Sequence, residues 1–498
     1  MALVATSGSV TIPMANLLAN GSLGGYSAGA GTIFLKNAAD TNGSLLVGNN
    51  AIGWSYVVRY PRKDGCTCVK PGETWTFDHV YVRDSGILSV PPNATLSLPG
   101  GFESVSSLTP SATPLCGLLY LGGTISLPAR EEHVLSGPWM FMAAEPFTFA
   151  GDVRLSSQAS IGVFQLFADS LAAYPACQVS VTGDMTVESG ATLYANNRGR
   201  RGADVKTQSY HGGSVAVTTH HLNVYDSIFN PSLCGTSGRS GNDYGDTNPG
   251  GGAIILTVGG CLTLNGSANA GSTDPKSGNH VGAAGSICIT AGSLAGTGNI
   301  TANGASGSSA KSRGAGGGGR VSVRLTDAGA TFADFSGAIQ ARGDNGNSAT
   351  TTAGSSAGTV YLQDGNTAAG AGTIRVANIS PSTAADARTG FPSLSNGEPV
   401  DDLSRAALEI ANNSRVILIA NVRLRALDVG AGSTLDLNGR TNAVATARAG
   451  GVNVPPGKYA ADSTLPVGAG TLGDYLLDSA DGGGLLWVKG NGLVVIVK

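Results

Sequence analysis

Short strands in which apolar and polar residues alternate recur through the middle of the chain, each entered through Gly-Gly or Ala-Gly. Five of them cover residues 212–219, 251–258, 284–290, 318–325 and 357–364. When they are aligned on Val215, Ile254, Ile287, Val321 and Val360, the spacings are 39, 33, 34 and 39 residues. A unit that repeats at this interval predicts a stack of coils in which equivalent strands lie side by side.

Alternation places two apolar side chains of each strand on the same face. The predicted core ladder consists of Val215, Val217, Ile254, Leu256, Ile287, Ile289, Val321, Val323, Val360 and Leu362. A second short strand is predicted at residues 193–197, 267–271, 300–304 and 339–343, and tracts of Gly, Ser and Asn connect the units. We therefore expect an all-β fold, a right-handed parallel β-helix (β-solenoid) with Gly-rich loop excursions.

The flanks alternate in the same way, so three regions are predicted. Residues 1–184 form N-terminal coils that resemble the interior of a longer array, and 185–365 hold the five units of 33–39 residues. Residues 366–498 form C-terminal coils that end in apolar closing strands, 485–488 and 493–497. Because an unpaired apolar end strand readily pairs with another chain, we expect end-to-end or lateral self-assembly.

Composition narrows the class of protein. The 498 residues include 75 Gly, only 13% are charged and 41% are hydrophobic, with a net charge of −3. So many apolar residues oppose disorder, and the absence of a basic cluster excludes the electrostatic footprint of nucleic-acid binding. No apolar run is long enough for a transmembrane segment, and the first 20 residues lack a signal-peptide pattern. We therefore expect any export signal either to lie upstream of this segment or to have been replaced by Met1.

Three strings carry a family resemblance. AGTIFLKNAADTNGSLLVGNN from Ala30, its echo AGTVYLQDGN from Ala357, and LDVGAGSTLDLNG from Leu427 resemble autotransporter-associated β-helix repeats. Large exported bacterial surface proteins carry such repeats beside many activities. The resemblance implies an extracellular or cell-surface location in a bacterium and a β-helical fold, and it implies no particular chemistry.

Three loop carboxylates are the candidate metal ligands. Asp243, Asp246 and Asp274 lie in adjacent units, where their oxygens and free carbonyls would suit calcium. The alternative interpretation is that they are solvated turn residues. No other cofactor is indicated.

Histidines and one tryptophan segment are further candidates for chemistry. His211, His220 and His221 cluster in one unit, but His220 and His221 point in opposite directions on a strand, so at most one can pair with His211. The segment Trp75 to His79 is similar to the W-x-D-H element of β-helix pectate lyases with one residue too many, and we favour a structural role for it.

Cysteine count and motif content complete the prediction. Seven cysteines leave at least one unpaired within the chain, and Cys261 and Cys288, 27 residues apart, should not stack in a repeat of 33–39.

No catalytic site is identified in the sequence. We expect a structural or adhesive surface protein, rather than an enzyme, whose partners are itself or surface glycans. The alternative is a polysaccharide lyase or glycosidase that acts on an extended glycan in a groove.

Overall fold

A computed structural model describes most of the chain and shows an all-β protein. The described residues are 1–20, 30–48, 66–84, 86–107, 117–163, 176–199, 211–213, 224–238, 249–272, 281–305, 316–343, 354–378, 387–467, 470–480 and 482–490. Helix within these ranges is limited to short 3-10 turns at Met14–Asn16, Phe102–Ser104, Phe332–Asp334 and Leu472–Asp474. None of the helices so described is long and apolar enough to cross a membrane.

The strands are short and follow one another closely along the chain. The strands before residue 200 are β1 (Ala2–Val4), β2 (Thr32–Lys36), β3 (Ser44–Gly48), β4 (Thr67–Cys68), β5 (Thr74–Thr76), β6 (His79–Arg83), β7 (Ile87–Val90), β8 (Thr95–Ser97), β9 (Val105–Ser107), β10 (Gly117–Tyr120), β11 (Thr124–Ser126), β12 (Glu132–Leu135), β13 (Pro138–Phe141), β14 (Phe147–Phe149), β15 (Asp152–Leu155), β16 (Ser160–Gly162), β17 (Cys177–Val181), β18 (Met185–Val187) and β19 (Thr192–Tyr194).

The later strands include two long ones and a series of hairpins. They are β20 (Ala253–Leu264), β21 (Ser267–Asn269), β22 (Ser286–Ala295), β23 (Asn299–Thr301), β24 (Arg320–Leu325), β25 (Ala338–Gln340), β26 (Thr359–Gln363), β27 (Thr373–Ala377), β28 (Thr389–Phe391), β29 (Leu394–Ser395), β30 (Glu398–Pro399), β31 (Ala407–Ala411), β32 (Arg415–Leu418), β33 (Val422–Val429), β34 (Thr434–Asp436), β35 (Thr441–Ala449), β36 (Val452–Val454), β37 (Gly457–Tyr459), β38 (Pro466–Val467), β39 (Gly470–Thr471), β40 (Leu476–Leu477) and β41 (Leu485–Val488).

From β4 onward the chain returns repeatedly to one parallel sheet, the nine-stranded sheet β4-β7-β10-β13-β16-β19-β21-β23-β25. Between these visits it adds strands to other parallel series. The early ones are β5-β8-β11 and β3-β6-β9, in two separate sheets. The later ones, β14-β17 and β12-β15-β18, both lead into the 16-stranded sheet, where β17 pairs with the first half of β20 and β18 with its second half. From β20 that sheet continues through β22, β24 and β26.

The apolar residues at equivalent positions are direct partners in adjacent strands. Ile254, Ile287, Val321 and Val360 pair in sequence, and so do Leu256, Ile289, Val323 and Leu362. All are buried except Leu362, which is partly buried against the same core. The other face of the ladder, in contrast, carries Ser286, Cys288, Arg320 and Ser322.

At the start of this ladder, the predicted core residues Val215 and Val217 lie outside the described residues. On the side of β20 where the repeat alignment expects Val215, the partner of Ile254 is Cys177. Strands are present at the four predicted second positions, with Leu193, Ala268, Ile300 and Ile339 as successive partners. The repeat alignment predicted Ser267 in place of Ala268, so that strand is displaced by one residue from the predicted register.

Two main hydrophobic cores succeed each other along the chain. The first extends from Ala30 to Val360, and the second contains Ile228 and residues from Ala357 to Val488. The change falls at the antiparallel hairpin β26–β27. Beyond it the strands are again mainly parallel, in the series β27-β31-β33-β35-β41 and in the four-stranded sheet β28-β32-β34-β40.

A matched pair of substitutions in β20 tests the inward face of the ladder. Leu256 is buried and the next residue, Thr257, is exposed. Leu256→Asp places an unpaired charge in the core, and we expect a loss of about 3–5 kcal/mol in the free energy of unfolding. Thr257→Asp should change it by about 0.5 kcal/mol or less. Urea denaturation followed by circular dichroism measures both, and equal effects would contradict the assigned faces.

Candidate functional site

The predicted metal ligands cannot be placed. Asp243, Asp246 and Asp274 lie outside the described residues, as do His220 and His221. Among the residues that are described, no group of three or more His, Cys, Asp or Glu side chains is arranged to hold a metal ion. Calcium binding by the three aspartates stays a prediction.

An excursion of the chain, residues 224–238, lies across the outer face of the ladder formed by β22, β24 and β26, and we call it the strap. Ser322 donates from Oγ to the Phe229 carbonyl at 2.7 Å, and the Phe229 and Tyr361 rings lie 4.6 Å apart. Ile228 belongs to the second core, although its neighbours contact strands of the first. The strap therefore buries outward-facing residues that would otherwise meet solvent, and it joins both cores.

His211, Asp226 and Ser286 form a buried polar cluster under the strap. His211 Nδ1 lies 3.0 Å from the Ala284 carbonyl, and Nε2 lies 3.3 Å from Asp226 Oδ2 and 3.5 Å from Ser286 Oγ. The Ser286 hydroxyl is closer to two other acceptors, the Leu233 carbonyl at 2.6 Å and Asp226 Oδ2 at 3.0 Å. The three side chains have the composition of a hydrolase triad.

The arrangement of these three groups does not suit nucleophilic catalysis. A triad serine donates its proton to a histidine nitrogen that is oriented by an acid on the opposite nitrogen. Here Asp226 and Ser286 approach the same nitrogen, and the opposite one faces a carbonyl. His211 and Ser286 also have no exposed surface, so a substrate could not reach the hydroxyl. The cluster fixes the strap to the sheet.

Asp226 organises the strap from inside a turn. It has φ of +72°, in the left-handed region that Asp tolerates better than most residues. Its carboxylate accepts hydrogen bonds from the backbone N–H groups of Ser227, Ser232 and Leu233. Burial acts to raise the pKa of Asp226, but the hydrogen bond and charge of His211 and the Leu233 N–H outweigh it, so the pKa lies below its ordinary value.

Arg320 connects the strap to the second core. Its guanidinium is buried and donates to the Tyr225 carbonyl at 2.8 Å, to Thr359 Oγ1 at 2.8 Å and to Ser393 Oγ. Burial lowers the pKa of Arg320, while Asp226, Asp401 and Tyr225 oppose that effect. Asp401 in turn accepts from Ser227 Oγ and the Ile228 N–H, at 2.6 and 2.7 Å. These bonds hold the beginning of the strap, residues 225–228.

The segment that is similar to a lyase element has a structural role. Asp78 accepts from the Asn42 and Gly43 N–H groups at 2.7 and 2.9 Å and from the Asn42 side chain at 2.9 Å. Burial acts to raise the pKa of Asp78, but these hydrogen bonds hold it below its ordinary value. His79 is exposed and stacks on Tyr81. Neither group is directed at a shared reactive position.

Charged residues form a row on the outer face of the second core that the repeat search did not find. Arg375, Glu409, Asp428 and Arg448 are partners on the neighbouring strands β27, β31, β33 and β35. Arg375 Nε lies 3.1 Å from Glu409 and Arg448 lies 3.7 Å from Asp428, and all four side chains are at least about a third exposed. In the sequence, each of these charged residues stands between apolar residues of a strand in which apolar and polar positions alternate. That pattern is the signal from which the row could have been predicted.

Asp428 responds to the charged neighbours in this row. Burial raises the pKa of Asp428, the neighbouring Glu409 adds to the increase, and Arg448 opposes it. Like charges on directly opposed positions of adjacent strands are unfavourable, so the flanking arginines compensate them. The row offers ionic and hydrogen-bonding groups on an open sheet surface.

A cavity adjoins the row at the boundary between the two cores. Its volume is about 270 Å³, and it is bounded by the edge strand β25 and by Val360. Arg342, Arg375 and Asn412 supply its polar lining. Arg375 therefore belongs both to the row and to the cavity, which places two guanidinium groups near one concave surface.

The cysteines within the described ranges belong to no group that could hold a metal ion. Cys116 lies outside the described residues. Cys261 pairs with Ser293 and Cys288 with Ile255, so the two do not stack, as the spacing predicted. Cys177 is buried in the first core, and burial raises its pKa to about 12, which keeps the thiol protonated and unreactive.

Comparison of the chain with protein-family models, with curated proteins and with solved structures gives no match.

Removal of the Asp226 charge tests the buried cluster. Because the pKa of Asp226 is lowered in the folded state, its stabilising contribution is present above the unfolded value, about pH 4, and is lost as the pH falls through the folded value. We expect Asp226→Asn to lower the free energy of unfolding by about 3 kcal/mol at pH 7. In urea denaturation, the gap from wild type should narrow below about pH 4. Asp462→Asn, at an exposed aspartate, is the control, and a gap independent of pH would contradict the assignment.

The coupling within the charged row is tested by two substitutions with opposite effects. Glu409→Gln removes a charge that raises the pKa of Asp428, so that pKa should fall. Arg448→Gln removes a charge that lowers it, so the pKa should rise. NMR titration of the Asp428 carboxyl carbon measures both shifts. Two shifts in the same direction would show that the row is not coupled as described.

Proposed function

We propose that the chain is a structural or adhesive β-solenoid that acts at the surface of a bacterial cell, and that its ladders are the faces of a right-handed parallel β-helix. The repeated return of the chain to the nine-stranded parallel sheet, with strands of other parallel series between the visits, supports this architecture. About 15 turns at roughly 4.8 Å each give a rod on the order of 70 Å long. Location and export rest on the repeat resemblance alone.

One observation carries the adhesive function. The cluster that has the composition of a catalytic triad is buried and holds the strap, whereas the exposed charged groups lie in a row along an open sheet. Groups of this kind form ion pairs and hydrogen bonds with a ligand without converging on a reacting atom. A scaffold that presents such a row is suited to binding.

Extended acidic glycans are the ligand class that the row fits best. Arg375 and Arg448 flank it, and Arg342 lines the adjoining cavity. Guanidinium groups bind carboxylates with two parallel hydrogen bonds, which gives affinity for uronic acids spaced along a polymer. Parallel strands repeat the charged positions at a fixed spacing, as a polymer repeats its sugars.

A glycan-cleaving enzyme is the second candidate, favoured by the neighbouring carboxylates. Glu409 and Asp428 lie on adjacent strands, and the pKa of Asp428 is raised. Glycosidases use one protonated and one ionised carboxyl group across the scissile bond. The arginines beside them would hold an acidic substrate.

Binding and cleavage can be measured in one experiment. The purified chain is applied to immobilised polygalacturonate and to a neutral mannan, and bound protein and polymer length are followed. We expect binding to the acidic polymer alone, weakened by salt and reduced at least about fivefold in Arg375→Gln/Arg448→Gln. Arg130→Gln, at an exposed arginine that pairs with Glu103 outside the second core, should bind as wild type.

The contrary outcomes separate the two candidates. Absence of binding to either polymer would oppose the adhesive proposal. Shortening of the polymer that is lost in both Glu409→Gln and Asp428→Asn would establish the enzyme instead.

A further inference from the structure

The charged row of the second core ends at Arg375, on the side where the two cores meet. On β27 this residue is paired with Glu409 of β31 on one side and with Val360 of β26 on the other. Val360 is buried in the first core, so the row does not continue onto β26. A ligand that follows the row across the strands therefore reaches its last charged contact at Arg375.

The cavity begins where the row ends. Arg375 lines it, and so does Ala377, which lies two residues further along β27 on the same face of the strand. Asn412 follows the end of β31 and completes this side of the cavity. Arg375 and Asn412 are exposed, so the cavity opens to solvent beside the row. One polymer can thus lie along the row and place a sugar in the cavity.

The opposite side of the cavity is the edge of β25. Among the described strands, β25 is the last of the nine-stranded sheet, since β26 and β27 pair in the 16-stranded sheet. The Gln340 carbonyl accepts the Ala302 N–H beside β23, so Ile339 and Ala341 direct their backbone groups away from β23. On that side the Ala341 carbonyl accepts from the Gly358 N–H. The N–H groups of Ile339 and Ala341 therefore face the cavity that these residues line.

The lining of the cavity is positively charged. It contains the guanidinium groups of Arg342 and Arg375, and none of the described residues that line it is acidic. Arg375 uses Nε for Glu409, which leaves its two terminal nitrogens for a ligand. The Arg342 guanidinium makes no hydrogen bond or ion pair with a residue that the structure describes. Each guanidinium matches a carboxylate with parallel donors, so the cavity suits a carboxylate-bearing ligand.

The size of the cavity limits the ligand. Pockets for drug-sized molecules enclose about 300–1,000 Å³, and this cavity, at about 270 Å³, has room for one sugar ring rather than several. The edge of β25 and Val360 bound it, so a polymer that enters from the row ends there. Arg448, at the other end of the row, is three strand spacings from Arg375, or about 14 Å. One sugar in the cavity cannot reach Arg448.

We propose that the cavity binds the terminal, carboxylate-bearing sugar of an acidic glycan, so that the chain recognises the end of the polymer. Arg342 and Arg375 bind the carboxylate, and Asn412 and the N–H groups of Ile339 and Ala341 face the ring. The sugars that follow lie along the row. This inference rests on the proposed binding of acidic glycans and goes beyond it, because it assigns one end of the ligand to one place on the protein.

Titration with a single sugar acid measures the cavity apart from the row. Galacturonate and neutral galactose are added to the full chain at low salt, and binding is followed by saturation-transfer NMR and calorimetry. We expect galacturonate to bind and galactose to bind at least about tenfold more weakly, because it lacks the carboxylate. Arg342→Gln should weaken galacturonate binding at least about tenfold, with the thermal unfolding curve unchanged. Arg423→Gln, at an exposed arginine of β33, should bind galacturonate as wild type.

Polymer length tests recognition of the end. A short oligomer and a long polymer of galacturonate are compared at equal mass, so that they differ in the number of chain ends and not in the number of sugars. For the wild-type chain, the mass concentration needed for half-saturation should fall in proportion to the number of ends. For Arg342→Gln, which keeps the row, the short oligomer should lose this advantage. Sedimentation velocity measures the bound fraction.

The contrary results separate this inference from the proposed function. Equal binding of galacturonate and galactose, or galacturonate binding that Arg342→Gln retains, would overturn the assignment of the cavity. Equal binding per mass of short and long polymer would overturn recognition of the end. If that binding were still lost in Arg375→Gln/Arg448→Gln, the adhesive proposal would stand without it. Galacturonate binding that needs Arg342, with no binding of the polymer, would refute both proposals and assign the cavity to a free sugar acid.

Discussion

The alignment of inward-facing apolar side chains on neighbouring parallel strands is the interaction on which the rest of the structure depends. Ile254, Ile287, Val321 and Val360 pair in sequence and lie on the core side of their strands. A slip of one residue would turn that face to the outside, so burial fixes the register without help from the connecting loops. Residues on the outward face do not have to be apolar, so they can be the polar residues that hold the strap.

A register fixed in this way tolerates long excursions. β17 and β18 both pair directly with β20, although more than 60 residues separate β18 from β20 in the chain. The entropic cost of a loop rises slowly with its length, so the insertion costs little more than a short one. The strap then buries polar residues, and each of those residues needs hydrogen-bond partners within the protein. Asp226 and Arg320 supply the hydrogen bonds that make its burial tolerable.

The sequence therefore predicts inward positions well and long-range partners poorly. Spacing was enough to align Ile254 with Ile287, because adjacent turns there differ little in length. It could not show that Cys177 is the partner of Ile254 on the other side, because the segments around Cys177 and Val215 have the same alternation of apolar and polar residues. His211 was a candidate, but its partners Asp226 and Ser286 are 15 and 75 residues away and unrelated to the repeat. The charged row was readable in principle from its central charges.

The antiparallel hairpins β2–β3 and β26–β27 show how one local pattern serves two environments. Leu46 and Arg375 occupy equivalent positions on the return strands, opposite Ile33 and Val360. Leu46 is buried in an apolar cluster, whereas Arg375 is about half exposed and lines a cavity of about 270 Å³. Apolar residues on the other positions suffice to keep the hairpin in register. The residue type at this position therefore depends on its surroundings. It is apolar in β2–β3, where other residues of the chain pack against it, and charged in β26–β27, where it meets solvent.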